Sequence, residues 1–290
     1  MQATARSIRP APPTSVAMQP LGERNFKRLA TFIHAETGIR MPPSKKQMLE
    51  GRLRRRLGPT GARTLDEYCD RAFSGTNLEM EGPHIVNAVT TNKTDFFREP
   101  AHFTWLRETL LPRIAERGVR QVRAWSAACS TGPEPYTIAM VLDDFAAGHG
   151  GPDYGILATD LDTQVLETAR LGIYPEEAVG PVPAELRRRY VMPANDPARR
   201  VVRIAPALRS AVGFARLNLM DDHYPVGDPM DLIFCRNVLI YFDKPTQHRV
   251  VSRLVDRLAP GGHLFLGHSE SIAGLDLPLV QLGNTIFRRS

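Results

Sequence analysis

The chain is poor in several of the features that usually announce a small protein's chemistry. Cysteine is scarce: Cys69, Cys129 and Cys235 stand far apart in 290 residues, with no C-x-x-C pair and no histidine at ligand spacing. That pattern excludes a disulfide framework and a structural zinc site, suits a reducing cytoplasm, and gives no expectation of a metal. No apolar run approaches the roughly 18–20 residues of a membrane-spanning helix, so insertion into a bilayer is not expected. Residues 1–20 are free of acids and rich in proline and alanine, and lack the apolar core of a secretory signal. They read as a disordered tail, although Arg6 and Arg9 are compatible with a targeting peptide. Internal repeats are absent. The net charge of +6 is compatible with nucleic acid, anionic membrane or an acidic protein, and selects none of them.

What is present centres on residues 122–145. Val122, Ala124 and Trp125 read as the end of a buried strand, and Ser126–Gly132 as a loop of small residues. Pro133 suits the first position of a helix, where a missing N–H costs nothing. Ile138, Val141, Leu142 and Phe145 then fall on one apolar helical face. In an open α/β sheet, a nucleotide-like ligand lies beyond the carboxyl end of such a strand. The loop nevertheless lacks the G-x-G-x-x-G of dinucleotide sites, having one glycine, Gly132, followed by Pro133 and Glu134. A carboxylate at a helix N-terminus takes the place a phosphate would occupy and repels it. The loop therefore suits a phosphate-free, cationic adenosine compound such as S-adenosylmethionine. Equally, Glu134 could do no more than complement the helix dipole.

Ahead of this core the pattern is helical. Phe26, Leu29, Ala30 and Ile33 form one stripe, with Gly38 beyond its end. A second helix is expected from a Ser44/Gln47 capping box through Met48, Leu49, Leu53 and Leu57 to a stop at Gly58-Pro59. Thr64 and Glu67 open a third, buried through Leu65, Tyr68, Cys69, Ala72 and Phe73, and a fourth apolar segment spans Ile85 to Val89. Between Arg40 and Arg56 stand seven basic residues and one acid, Glu50. Arg52, Arg55 and Arg56 share a face where like charges repel by a few tenths of a kcal/mol per pair. With Lys45 and Lys46 they read as a docking surface for an acidic partner; a solvated face is the alternative.

From Pro100 a long helix is expected through Phe103, Leu106, Leu110 and Ile114, bent at Pro112. The second strand, Tyr154 to Thr159, ends at Asp160, placed to accept hydrogen bonds from ribose hydroxyls. Residues 175–217 break the α/β alternation with prolines and with short strands at 201–204 and 212–217. They read as a small antiparallel insertion, with eight arginines against four acids. The run 230–235 is a near-continuous apolar strand of the parallel kind that delivers Arg236 and Asn237 to the ligand edge. A helix from Thr246 to Leu258, a strand from His263 to Gly267 and a strand pair within 280–287 complete the chain.

Four separate segments together resemble one family, the chemotaxis-receptor glutamate methyltransferases of CheR type. They are Asn92–Glu99 (N-K-T-D-F-F-R-E), Trp125–Tyr136 (W-S-A-A-C-S-T-G-P-E-P-Y), Ile233–Phe242 (I-F-C-R-N-V-L-I-Y-F) and Gly267–Ser271 (G-H-S-E-S). The match runs in order from about residue 20 to 290, with one departure: Pro133 stands where the family loop usually carries a first acid. The resemblance implies an all-helical domain over 21–97, a receptor-docking module. A Rossmann-like S-adenosylmethionine methyltransferase domain would follow over 98–290, with the antiparallel β insertion at 175–217. It implies that Asn92, Thr94, Arg98, Glu134, Asp160, Asn218, Leu219, Arg236 and Asn237 line the cofactor site, with Arg98 and Tyr241 nearest the transferred methyl. S-adenosylhomocysteine would be the product.

By the same resemblance the partner is a methyl-accepting chemotaxis-type receptor with an acidic helical cytoplasmic region. Neither nucleic acid nor membrane insertion is expected, and the chain is expected to be a cytoplasmic monomer. The substrate glutamate is already ionised at neutral pH, which agrees with the absence of an evident His or Asp dyad. Two rivals share parts of the pattern: a catalytically silent receptor-binding adaptor, and an NAD-dependent oxidoreductase, which the missing glycines disfavour.

Overall fold

The computed structural model describes residues 19–196 and 198–290; the expected tail lies, as far as residue 18, outside them. The chain divides into two compact units. One comprises the described residues up to Ala35 together with Met41–Val89, the other Glu36–Arg40 together with Thr90–Ser290.

The first unit is all-helical: α1 (Glu23–Thr37, whose last two residues count with the second unit), α2 (Lys46–Leu53), α3 (Leu57–Thr60), α4 (Leu65–Ala72) and α5 (Asn77–Val89). Phe26, Leu29 and Ile33 form the buried stripe of α1. The free N–H groups where α1 begins are met by acids from other helices. Leu21 N donates to Glu50 Oε1 (2.9 Å) and Gly22 N to Asp66 Oδ1 (3.0 Å). Thr64 caps α4 as its sequence implies, its hydroxyl accepting from Glu67 N at 3.0 Å.

The second expected helix needs correction. Its opening turn is 3-10, Pro43–Lys45, with Pro42 as cap and no side-chain cap bond. Pro43 sets the first helical position, so Ser44 already lies inside the turn and the capping box is not made. Nor does Gly58-Pro59 end the run. A 3-10 turn at Arg54–Arg56 restarts the helix as α3, where Pro59 falls in a first turn that requires no N–H, and Gly61 terminates it at φ 65°.

The second unit opens with α6 (Ala101–Trp105) and α7 (Leu111–Glu116), joined by a π-helical turn at Leu106–Leu110. Pro112 has no N–H to donate, and the ladder loosens to i→i−5 just ahead of it, Leu111 N bonding Leu106 O. There follow β1 (Gln121–Ala127), α8 (Pro133–His149), β2 (Asp153–Asp160), α9 (Thr163–Leu171), β3 (Ile173–Pro175), α10 (Ala184–Tyr190), β4 (Val191–Pro193), β5 (Val201–Ile204), α11 (Pro206–Ser210), β6 (Val212–Arg216), β7 (Met230–Cys235), α12 (Lys244–Arg257), β8 (Leu258–Leu266), β9 (Leu279–Gly283) and β10 (Ile286–Arg289). No described helix is long and apolar enough to cross a membrane.

Seven strands form the main sheet in the order β6-β2-β1-β7-β8-β10-β9, parallel from β6 to β8 and antiparallel across β8-β10-β9. Alternate residues enter opposite layers: Ala124, Phe234 and Phe265 pack on one face, Trp125, Ile233 and Leu264 on the other. Both faces are therefore buried, which is why these strands read as continuous apolar runs. The chain leaves β1 toward β2 and later returns on its other side as β7. The strand order thus reverses between β1 and β7, and a crevice opens beyond their carboxyl ends.

The fold class agrees with the sequence reading, while two assignments differ. The antiparallel insertion is a three-stranded sheet, β3-β5-β4, spanning 173–204. Val212–Arg216, expected within it, is instead the parallel edge strand of the main sheet, Ile156 opposite Val212 and Asp160 opposite Arg216. Residue alternation marks a strand without naming its neighbour, and Phe214 settles the matter by packing edge-on to Tyr136 (5.9 Å) of α8. Thr90–Phe97, assigned to the helical domain, belongs to the second unit: Phe96 is buried in its core and Phe97 N donates to Thr137 Oγ1 at 3.1 Å.

Candidate active site

The crevice is shaped by carboxylates that hold backbone in place. After β1 the chain passes through left-handed conformations at Ala128 (φ 67°), Ser130 (φ 52°) and Gly132 (φ 97°) before α8 starts at Pro133. Asp160, at the end of β2, accepts from Ser130 N (2.8 Å) and Asp162 N (2.9 Å), fixing both loops. Asp162 caps α9 with Oδ1 and with Oδ2 accepts from Thr90 Oγ1 (2.8 Å) and Asn92 Nδ2 (2.9 Å). The Ser130 hydroxyl closes the ring on Asn92 O at 3.0 Å. Burial pushes the Asp160 carboxyl above its usual range, against the pull of those backbone N–H groups.

The second half of the site is built on Arg236, whose side chain is 1% exposed. Its Nη1 donates to Glu134 Oε2 (3.1 Å) and its Nη2 to Glu99 Oε2 (2.9 Å) and to the Arg98 carbonyl. The other oxygen of Glu134 accepts from Ser126 Oγ at 2.7 Å, so this acid of the first turn of α8 is tied to the ends of β1 and β7. Burial raises the Glu134 carboxyl and Arg236 opposes it. Glu99 behaves in the opposite sense. Burial pushes it up, but the hydrogen bonds from Arg236 and Asn237 prevail and hold it down at about 2. Glu99 Oε1 also receives Asn237 Nδ2 (3.1 Å) and His268 N (3.2 Å). Glu270 accepts from Asn237 N (2.9 Å), Leu239 N (2.7 Å) and Gly267 N (2.6 Å), pinning the turns after β7 and β8.

These clamps enclose a cavity of about 930 Å³ of atom-free space, its open mouth included. Asn92, Thr94, Arg98, Glu134, Asp160, Asn218, Leu219, Arg236, Asn237 and Tyr241 all line it. Arg98 donates from Nη1 to Lys93 O at 2.9 Å, and Asn218 donates from Nδ2 to Glu36 O at 2.6 Å. Tyr241 ends a 3-10 turn, Leu239–Tyr241, and its carbonyl accepts from Arg40 N. Glu99, Asp162 and Glu270 also belong to the site, though none is among the residues expected there from sequence. Glu99 and Glu270 lie inside the family-like motifs, and the local mark of all three is an acid within a short turn leaving a strand or entering a helix.

Six described non-glycine residues take positive φ. Five of them, Phe97, Glu99, Ala128, Ser130 and Asn237, line the cavity or adjoin a lining residue. Each costs of order 1–3 kcal/mol, and such strain persists where surrounding structure over-determines it, as ligand sites do. The cavity's chemistry excludes more than it invites. Burial raises the thiols of Cys129 and Cys235 well above their usual range, which disfavours the nucleophilic thiolate, and neither lines the cavity. A phosphate meets Glu134 at the start of α8, and Pro133 supplies no N–H. A cationic or hydroxyl-rich ligand meets acids instead.

The basic residues of the first unit are less free than their spacing implies. Arg56 forks onto Glu81 (2.7 and 3.2 Å), which also accepts from the Tyr68 hydroxyl (2.9 Å). Lys46 pairs with Glu23, and Arg52 donates to Ala88 O at 3.3 Å. Lys45 is half-buried, and Arg55 alone among the five is exposed.

Two family models match the chain: the CheR methyltransferase all-alpha domain over residues 24–90 and the CheR methyltransferase SAM binding domain over residues 92–286. The chemotaxis protein methyltransferase of Escherichia coli K12 is 39% identical over 270 residues, covering 93% of this chain and 92% of that one. Its counterpart in Salmonella typhimurium is 38% identical over 286 residues, 97% of each. Chemotaxis protein methyltransferase 2 of Pseudomonas aeruginosa is 39% identical over 266 residues, covering 91% of this chain and 92% of its own.

Proposed function

This chain belongs to the CheR methyltransferase family, and from that premise we propose that it methylates glutamate side chains of a chemotaxis-type receptor. The products are glutamate γ-methyl esters and S-adenosylhomocysteine. The observation that carries the reading is that Glu134 and Asp160 open onto the same cavity as Arg98 and Tyr241. The donor set fits the cofactor: acids stand where a ribose and a positive charge are to be held, and no phosphate cradle competes. Asn92, Thr94, Glu134, Asp160, Asn218, Leu219, Arg236 and Asn237 would hold it. When bound, S-adenosylmethionine supplies an electrophilic methyl group on a sulfonium sulfur.

The work left to the chain is positioning. A receptor glutamate, with an ordinary pKa near ~4.3, arrives ionised and needs no base. Its carboxylate oxygen must be held in line and stripped of water. Arg98 is the orienting group, since a guanidinium is a planar fork matched to a carboxylate. Its bond to Lys93 O fixes one arm of that fork. Tyr241 walls the approach and offers a hydroxyl. Docking falls on the basic helix of the first unit, where Arg55 is the exposed contributor and Lys45, Lys46, Arg52 and Arg56 set the local field. The setting is the cytoplasm, where the acidic helical region of a receptor is accessible.

Transfer of labelled methyl groups to receptors from the same cell tests the reading, followed by mild base. Label released as methanol is expected, because a methyl ester hydrolyses and a methylated amine does not. Arg98→Ala should retain calorimetric uptake of S-adenosylmethionine and lose transfer; base-stable label, or full turnover in that variant, refutes the assignment.

A further inference from the structure

Around Glu99, the partner of Arg236, stand two imidazoles that the methyl-transfer reading does not use, His102 and His268. His102, on α6, is 1% exposed. Its Nε2 sits 3.1 Å from Thr285 Oγ1, and the Thr285 hydroxyl itself donates to Asn284 O (2.8 Å). Nε2 also faces the Asn284 carbonyl at 3.4 Å, an oxygen that can only accept, so these surroundings favour the ring proton on Nε2 and a lone pair on Nδ1. Burial, then the charge of Arg236, lowers the His102 ring to about 4, so it stays neutral. Among the described residues Nδ1 has no hydrogen-bond partner. It points at Glu99 Oε2 from 3.7 Å, too far for a hydrogen bond and with no proton between two acceptors. His268 Nε2 lies 3.9 Å from the same oxygen, its side chain 43% exposed, and the two imidazole rings stand edge to face at 5.1 Å.

Three lone-pair donors thus converge on one point. We propose that Glu99 Oε2, His102 Nδ1 and His268 Nε2 form a binding site for a divalent transition-metal ion of the Zn²⁺ class. Two imidazoles and a carboxylate match the ligand set that zinc takes with an open fourth position. Calcium and magnesium, which take oxygen ligands, do not match it. A buried histidine whose remote N–H is held by a hydroxyl is also the arrangement that orients a metal-ligating imidazole. The three ligand atoms lie within 4.8 Å of one another. A tetrahedral ion asks for separations of roughly 3.4 Å, and His268, exposed and on a turn, closes the difference.

The same oxygen of Glu99 accepts from Arg236 Nη2 at 2.9 Å, and Arg236 in turn holds Glu134. A metal ion therefore draws the carboxylate's charge away from the guanidinium that organises the cavity, and inhibits methyl transfer. Only this inhibition rests on the function proposed above; the binding site does not.

Cobalt(II) titration of the full chain, followed by its visible absorption, tests the site. A saturable band is expected in the native protein, displaced by Zn²⁺. In His268→Ala, folded by circular dichroism, the cobalt affinity should fall by about 10–100-fold or more, the scale that even an outer partner of a metal ligand commands. Absence of a saturable band, or equal affinity in His268→Ala, overturns the proposal. Inhibition by Zn²⁺ of the native protein but not of His268→Ala confirms the coupling, and equal inhibition of both overturns it. A cobalt band in a protein that methylates no receptor leaves the metal site standing and refutes the methyl-transfer reading instead.

Discussion

Replacing Arg236 by methionine, close to it in length but uncharged, is the sharpest test of how the crevice is held together. The guanidinium bridges Glu134 and Glu99 at 3.1 and 2.9 Å, with the three side chains 12%, 13% and 1% exposed for Glu134, Glu99 and Arg236 respectively. Solvent screens little at that depth. Removing one partner of a buried ion pair costs about 3–5 kcal/mol, because the other charge is left uncompensated; here two are left. At about 2–4 °C per kcal/mol for a unit of this size, the melting temperature at pH 7 should fall by about 6–20 °C. The pH dependence gives the sign. In the native protein Glu99 is held at about 2, so its contribution is complete above the ordinary carboxylate range and is lost as pH falls toward 2. Without Arg236 both carboxyls are raised by burial and mutual repulsion, and the folded state takes up protons more readily than the unfolded one. The variant must then gain stability as pH drops, so the melting gap between the two proteins narrows from pH 7 to pH 5. Circular-dichroism melts across that range suffice. A gap below about 2 °C at pH 7, or one that fails to narrow, refutes the bridge.

Three further outcomes follow from the same physics. Gly132→Ala places a Cβ at φ 97°, 2.8 Å from the Tyr174 hydroxyl and 2.9 Å from Ala169 Cβ. It should lower stability by about 1–3 kcal/mol in urea titration and weaken cofactor uptake; an unchanged midpoint sinks the argument. Arg55→Glu should slow receptor methylation more at low salt than at high, with no change in melting. Arg56→Glu, by contrast, breaks its fork on Glu81 and should destabilise by about 1.5–3 kcal/mol; salt-independent kinetics in Arg55→Glu remove the docking role.

Periodicity made much of the fold legible before any coordinates. The run 230–235 has almost no polar residue because both of its faces are covered, and it ends where expected, at Arg236. Helix α8 was readable from Pro133 and one apolar face. Pairing was not readable: Val212–Arg216 alternates like any strand, and only the packing of Phe214 on Tyr136 assigns it to the main sheet. Local signals also lost to their neighbours, as when Pro43 pre-empted the cap at Ser44. In the site, residues facing the cavity were recognisable by motif. Residues that hold the framework rather than ligand, Glu99, Asp162 and Glu270, were not, because the partners that shape the crevice (Arg236 and Asn237 for Glu99, Thr90 and Asn92 for Asp162, Asn237 and Leu239 for Glu270) are distant in sequence and leave no spacing to detect. Arg56 misled for the same reason: its partner Glu81 lies on another helix.

The left-handed residues around the cavity bear on how such a chain can change over time. Glycine would relieve Ser130 and Asn237 at once, yet each uses its side chain in the enclosure, Ser130 on Asn92 O and Asn237 on Glu99. Relief and grip are thus mutually exclusive at these positions. The lip of the opening therefore tolerates substitution poorly at Ser130 and Asn237, where glycine gains backbone freedom and forfeits a hydrogen bond.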